Sequence, residues 1–546
     1  MALVANVEVP NAYDDYAYIR TYTGDAKSIS VRGGYSIADG GQGTFLLDST
    51  DSSSPDNGGT VLVDAKLRRW KRSVSTSIDF DWWVPNKNGT VDVLVQLNAA
   101  AEVAAYYNVP LNMSAGVYGV TDEFVPPNGL ILKGAGNTIP VNPSVCTVIR
   151  WIGGPANAKA VIRCSRSAVG VTPTADVSGV NICGVVADAN NFSGCAVYFR
   201  RFLSGSSAKD ITAINARVVG ICIYQTWYVS FGSLVATANY GRGMCLGYPV
   251  FGETNSDAVI AVYFERIRTE GNGRNRDFNP GTGSSTRYSG AGVITRTNAC
   301  SYGLIECQNN YGFGWIETSI RSANSFSSYS SQNNGVTDGS NPGHAFLNTD
   351  DVGGYKSTQL DAVTVRSKGL FINESETPVC ILNFTRQEDT SFSLFESTGA
   401  GFRFMGGTYD GPLEYQSQST YANAVNCVQE TILSADTSLN STGTISGCSF
   451  PDVSASSTFI KVRITFLQAF PGGQFTLSNN GAAIAYYDEP ARPAGAVVVK
   501  DLQVQGTGLV LGISATTVAT AVRANVQVTV GRLPNGYLAK GPTRQR

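Results

Sequence analysis

The stretch YGLIECQNNYGFGWIE, residues 302–317, decides the fold because it overlays an earlier stretch, VYFERIRTEGNG, residues 262–273. In each, a short apolar segment with strand-type alternation runs into a corner built of Asn and Gly. The same corner links ANYGRGM (238–244) to NNYGFGW (309–315). Comparable segments, among them GVNICGVVADANNFSGCAVYF, DITAINARVVGICIY and FGSLVATANYGRGMCLGY, recur from about residue 116 to about residue 425. Units of roughly 20 to 40 residues that cannot bury a face alone imply a stacked solenoid. No helical pattern intervenes, so the predicted solenoid is a parallel β-helix. Cys222, Cys245 and Cys307 then fit as small stacked interior residues.

Two other textures flank it. Residues 12–84 carry short alternating segments, and DVLVQLNAAAEVAAYYN (92–108) is the one convincing helical stretch, rich in Ala and ended by Pro110. From 426 onward, STFIKVRITFLQAF, QFTLSNNGAAIAYYD and VRANVQVTVGRL read as longer alternating strands of an antiparallel β-sandwich-like domain. The expected divisions are 1–84, 85–425 and 426–546.

Composition excludes several chemistries. Charged residues make up 15% of the chain and the formal net charge is -2. Nucleic-acid binders are usually strongly basic, so no nucleic-acid partner is expected. The 11 cysteines include no C-x-x-C pair, which favours free buried thiols over a disulfide framework or a zinc site. With one histidine, His344, a multi-histidine metal site is impossible. No cofactor is expected. The first ten residues lack a basic region and a sustained apolar run, and no apolar stretch reaches membrane-spanning length, so neither a signal peptide nor membrane insertion is expected.

DSSSPDNGGTVLVDAKLRRWKR, residues 51–72, invites a phosphate-loop reading at Asp56–Thr60 and a nucleic-acid reading at its basic end. No G-x-x-x-x-G-K-[ST] pattern follows, so the first fails. With AYIRTYTGDAKSISVRG (17–33) and DGGQGTF (39–45), the stretch resembles the entry segment of bacteriophage tailspike depolymerases. Asp39, Gly40, Gly41, Gly43, Phe45, Asp56, Asn57, Gly58, Gly59, Thr60, Asp64, Arg69, Trp70 and Arg72 fall on that family's pattern. VYGVTDEFVPPNGLILKGAGN (117–137) looks like the family's first coil. The acidic run usual before the helix is reduced here to Gly89, Thr90 and Asp92. The resemblance implies an all-β, right-handed parallel β-helix of the pectate-lyase-like kind, with a small entry region, one short helix, a C-terminal antiparallel β-domain and assembly as a homotrimer. Arg69, Trp70 and Arg72 would then form an aromatic wedge at a chain–chain contact. Attachment to the particle would use the first few residues or an adaptor, unless the chain is a piece of a longer one.

The overlay puts Ile267 over Ile305, Arg268 over Glu306 and Glu270 over Gln308. Glu270 and Glu306 then differ by one coil and two residues, roughly 8 Å, within the range of an inverting glycosidase pair. The next ladder adds Trp315 and Glu317, with Asn348, Asp350 and Asp351 one coil further. An aromatic ring beside a carboxylate suits a sugar site. Expected catalytic residues are therefore Glu270, Glu306 and Glu317. Expected sugar contacts are Arg268, Trp315, Gln308, Asn348, Asp350 and, from the Gly-rich insertion 271–292, Arg276 and Tyr288. The plainer alternative is exposed ladder carboxylates paired with Arg266, Arg268 or Arg296, and Trp315 as corner packing.

Together these readings imply a tailspike on the virion tail, made in the host cytoplasm, that recognises and hydrolyses a bacterial surface polysaccharide. Its expected partners are that polysaccharide, two further copies of itself and a phage tail or adaptor protein. The alternatives are a polysaccharide lyase, with Arg, Tyr or His344 serving a uronate substrate, and a non-catalytic receptor-binding spike.

Overall fold

The computed structural model describes residues 13–251, 259–274, 290–318 and 322–334, apart from positions 75, 85, 204 and 333. From 344 to 532 it describes chiefly the backbone of successive strands. The chain divides into two compact units, 1–347 and 348–546.

The first unit opens with a short helix, Tyr16–Thr21, which the sequence reading did not foresee. Asp15 caps it, its carboxylate accepting from the Ala17 and Tyr18 amides. A four-stranded antiparallel sheet follows, in the spatial order 28–31, 43–48, 69–72, 61–63. Alternation sends Ile29, Val31, Phe45, Leu62 and Trp70 into one core with Tyr16 and Ile19.

That placement corrects the wedge expected of Arg69, Trp70 and Arg72. Trp70 is fully buried, and its indole Nε1 donates to Asp64 Oδ2 at 3.0 Å. Arg72 is buried too, donating to the carbonyls of Gly59, Gln42 and Gly41 and to the Tyr16 hydroxyl. The cause is alternation: Trp70 and Arg72 share the sheet face that packs against helix Tyr16–Thr21, so they turn into the core rather than toward another chain. The neighbouring cations are engaged as well, Lys71 with Asp48 and Asp51 at 2.8 Å each, and Arg68 with Asp64 at 2.7 Å.

The glycine loop is closed in the same way. Asn57 Oδ1 accepts the amides of Gly59, Thr60 and Val61, and Asp56 Oδ1 accepts that of Gly58. The amides a phosphate would need are already spent on the turn.

Helix Leu94–Tyr107 falls inside the expected 92–108. Its buried face is Leu97, Ala100, Ala101 and Ala104, and it ends on Asn108 in the left-handed region at φ 52°. Asp92 survives from the acidic run for a local reason, its Oδ1 accepting the Leu94 amide at the helix start.

From residue 88 the chain winds into parallel rungs. One sheet orders the strands 88–92, 116–120, 147–151, 181–188, 207–214, 230–237, 263–270, 301–308 and 322–332. A second runs 156–164, 193–200, 219–224, 242–246, 293–295 and 315–317, and a third stacks 226–227, 259–260 and 297–298. This is the predicted parallel β-helix. Like residues stack inside it. Phe231, Phe264, Tyr302 and Phe326 form a continuous pile with ring centroids 5.4, 5.1 and 4.7 Å apart. Cys222 pairs in register with Cys245, and both are buried, as is Cys307. Burial pushes the Cys164 and Cys307 thiols up to about 12, which rules them out as nucleophiles.

The Asn/Gly corners that prompted the overlay are joined by side-chain bonds. The Nδ2 of Asn239 donates to Asn272 Oδ1, that of Asn272 to Asn310 and that of Asn310 to Asn334, each at 2.8 Å.

The second unit begins with parallel strands, 356–360 beside 379–387 and 402–408, and 369–373 beside 393–397 and 414–416. It ends in two four-stranded antiparallel sheets, ordered 433–439, 522–532, 458–466, 497–504 and 449–450, 509–516, 473–479, 482–489.

Candidate functional site

The strands 263–270 and 301–308 lie side by side in the register drawn from the sequence: Ile267 with Ile305, Arg268 with Glu306, Glu270 with Gln308. Ile267, Thr269, Ile305 and Cys307 are buried, so Arg266, Arg268, Glu270, Glu306 and Gln308 between them face outward. One rung and two residues separate the two glutamates along this face.

Each glutamate is held by an arginine. Arg266 donates from Nε and Nη2 to Glu306 Oε2, at 3.1 and 2.6 Å. Arg268 Nη2 donates to Glu270 Oε2 at 2.8 Å. Among the described residues the other oxygen of each acid, Oε1, takes no hydrogen bond and stays available. All four side chains are partly exposed, between 23% and 40%. The result is a polar strip of alternating charge that can accept sugar hydroxyls at Oε1 and offer guanidinium N–H groups beside it.

Trp315 and Glu317 do not join this strip. They lie on strand 315–317 of the second sheet, in register with Val293 and Thr295, and both are fully buried. Trp315 packs edge-on against Tyr302 and Phe326, at 5.0 Å each. Glu317 Oε2 accepts the Thr295 hydroxyl at 2.7 Å. The groove that was to hold Trp315 beside Glu270 and Glu306 is thus corrected, since the chain turns a corner between Gln308 and Trp315 and the in-out phase restarts after it. A Trp315 ring sealed between two aromatic rings cannot stack on a sugar.

Of the other expected contacts, Gln308 is on the strip, one rung above Glu270. Asn348 closes strand His344–Asn348, with its side chain outside the described residues. Arg276, Tyr288 and Asp350 lie outside them altogether. Sequence reasoning named Arg266 only as an ion-pair partner. The signal that gives it more weight is the outward pair Glu265–Arg266, where two consecutive residues leave the interior before Ile267 re-enters it.

Known proteins bear on the two ends of this description. Residues 12–76 match the family model of the phage tail protein small four-stranded beta-sheet domain. The entry segment is thus similar to a phage tail domain. The four-stranded sheet around Trp70 falls within the matched residues.

Over nearly its whole length, the chain is similar to several solved structures at low identity. With the enzymatically active domain of tailspike protein 4 of bacteriophage CBA120 it shares 10% identity and a TM-score of 0.47, covering 96% of this chain and 78% of that one. A Pantoea stewartii glycan biofilm modifying enzyme, described as having a bacteriophage tailspike-like parallel beta-helix fold, gives 10% identity and a TM-score of 0.43, over 95% and 70% of the two chains. A tailspike of Acinetobacter baumannii bacteriophage Fri1, described as a capsular polysaccharide depolymerase, gives 11% and 0.35, over 96% and 99%. No curated protein sequence matches the chain.

Proposed function

We propose that the chain is a subunit of a phage tailspike that binds and depolymerises a bacterial surface polysaccharide by glycosidic hydrolysis. The observation that carries this reading is the pair Glu270 and Glu306, on one outward face of a phage-tail-linked β-helix and one rung and two residues apart. That offset amounts to roughly 8 Å, room for a water between the acid that protonates the leaving oxygen and the base that activates the attack. Rungs hydrogen-bonded on both sides keep the two carboxylates in place. Each must release its arginine in part when sugar binds, and the guanidinium so freed can hold a substrate hydroxyl or carboxylate. The body bearing the site is taken as 85–425, with 1–84 toward the particle and 426–546 for trimerisation or carbohydrate binding.

The guanidinium groups of Arg266 and Arg268 on the same face also favour a second reading, a lyase in which they neutralise a uronate while a base removes its C5 proton. Product analysis separates the two. Hydrolysis is expected to raise reducing ends with no new ultraviolet absorbance, whereas an unsaturated product would make the enzyme a lyase. No rise in reducing ends on any bacterial polysaccharide bound by the protein would leave only a receptor-binding spike.

Assembly as a homotrimer, with attachment to the tail through the N-terminal region, belongs to the same proposal. Its support is apolar surface on helix Leu94–Tyr107, where Val95 is 77% and Tyr106 83% exposed. Two further copies would cover such surface. Sedimentation at micromolar concentration should give the mass of three chains, and a one-chain mass would refute it.

A further inference from the structure

We propose that Tyr228 and Tyr263 form a glycan-binding platform outside the catalytic strip, a corner of two adjacent rungs on which pyranose rings stack. It rests on the reading of the chain as a polysaccharide-acting protein and names a subsite of that activity. The register Trp227 with Ile260 and Asn298, and Ser230 with Tyr263 and Ser301, makes Tyr228, Ala261 and Ala299 one corner position in three successive rungs. All three have left-handed backbone, at φ 55°, 53° and 53°. Such a corner favours Gly or Asn on backbone grounds, and two of its rungs use Ala. Tyr228 is the one large residue among the three, and it stands 81% exposed. An exposed aromatic ring kept where the next two rungs carry only Ala points to use.

One rung higher, Tyr263 begins its strand where the neighbouring rungs carry Ser230, Ser301 and Ser325, all exposed. Tyr263 is 47% exposed. Neither tyrosine ring makes a ring contact or a side-chain hydrogen bond among the described residues. The two backbone positions are one rung and two residues apart, roughly 8 Å at most. Two apolar ring faces flanked by a column of serine hydroxyls match a pyranose, which has a C–H face and a rim of hydroxyls. The platform is also continuous with the catalytic strip, because Tyr263 and Arg266 share a strand and Arg266 holds Glu306. A polysaccharide leaving the strip along these rungs would cross the rings next.

The test uses the full chain carrying Glu306→Gln, so that polysaccharide is not consumed, and a printed set of purified bacterial capsular polysaccharides and exopolysaccharides as the probe. Into it go Tyr228→Ala, the residue of the same corner at 261 and 299, and Tyr263→Ser, the residue of the same column at 230 and 301. These are substitutions the fold already accepts. On a polysaccharide bound by the parent, each change is expected to weaken binding about tenfold, with the melting temperature unaltered. Binding within about twofold of the parent would overturn the platform and leave the polysaccharide reading intact. A parent that binds no polysaccharide would overturn both. A drop in sedimentation mass in the double variant would make the rings chain–chain contacts and overturn the platform as well.

Discussion

Glu270→Gln and Glu306→Gln are each expected to slow polysaccharide cleavage by about 10²–10⁴-fold, the usual contribution of a positioned acid or base. Stability should barely respond. The pairs Arg266–Glu306 and Arg268–Glu270 are partly exposed, and ion pairs of that kind contribute about 0–1 kcal/mol. Glutamine keeps the size and still accepts a hydrogen bond from the arginine. A rate loss of several orders beside a melting temperature within a few degrees of wild type therefore reports chemistry and not folding. Glu102→Gln, on the exposed side of helix Leu94–Tyr107, serves as the control with unchanged turnover. Wild-type rates in both the Glu270 and Glu306 variants would move the catalytic pair to other acids.

The second large effect is on stability. Asn272→Ala is expected to cost about 3 kcal/mol or more, read from the shift in the denaturant midpoint. Asn272 is fully buried; its Nδ2 donates to Ala236 O and Asn310 Oδ1, and its Oδ1 accepts from Asn239 Nδ2 and the Asn239 amide. Alanine removes none of those partners, so groups on the two flanking rungs lose a bond away from water, at about 1–3 kcal/mol for each one left unsatisfied. Because Asn239, Asn272, Asn310 and Asn334 bond in series, Asn310→Ala in the same chain should add less than its separate cost. A midpoint shift under about 1 kcal/mol for Asn272→Ala would mean that water or a rearranged corner replaces the ladder.

Within one strand, period-two alternation binds each side chain to a face, so aligning two rungs by their apolar residues also aligns everything between them. For that reason the pairing of Arg268 with Glu306 and Glu270 with Gln308 was readable from residues 262–273 and 302–317 alone. The corner asparagines were readable for a similar reason, since only Asn or Gly suits a tight turn that must also satisfy its own backbone. In the entry segment, the resemblance read from the sequence included the loop residues Asn57, Asp56 and Asp64, whose side chains each close a particular turn.

What alternation cannot carry is phase across a corner. Left-handed Asn309, at φ 52°, and the bends that follow it reset the face between Gln308 and Trp315, so Trp315 and Glu317 went inward where their spacing suggested outward. Contacts between segments distant in sequence were equally invisible: Arg72 reaches Gly41 and Tyr16, and Trp70 reaches a core shared with Ile19, because helix Tyr16–Thr21 packs on that face of the sheet. The partner of each glutamate was also decided in three dimensions. On one face several arginines lie within reach, and only the stacking of the rungs selects Arg266 for Glu306 and Arg268 for Glu270. Local periodicity therefore determined the rungs and their register, while the exchange of facing at corners and the long-range burial of polar groups belonged to the tertiary structure, where free energy depends on neighbours the local pattern does not contain.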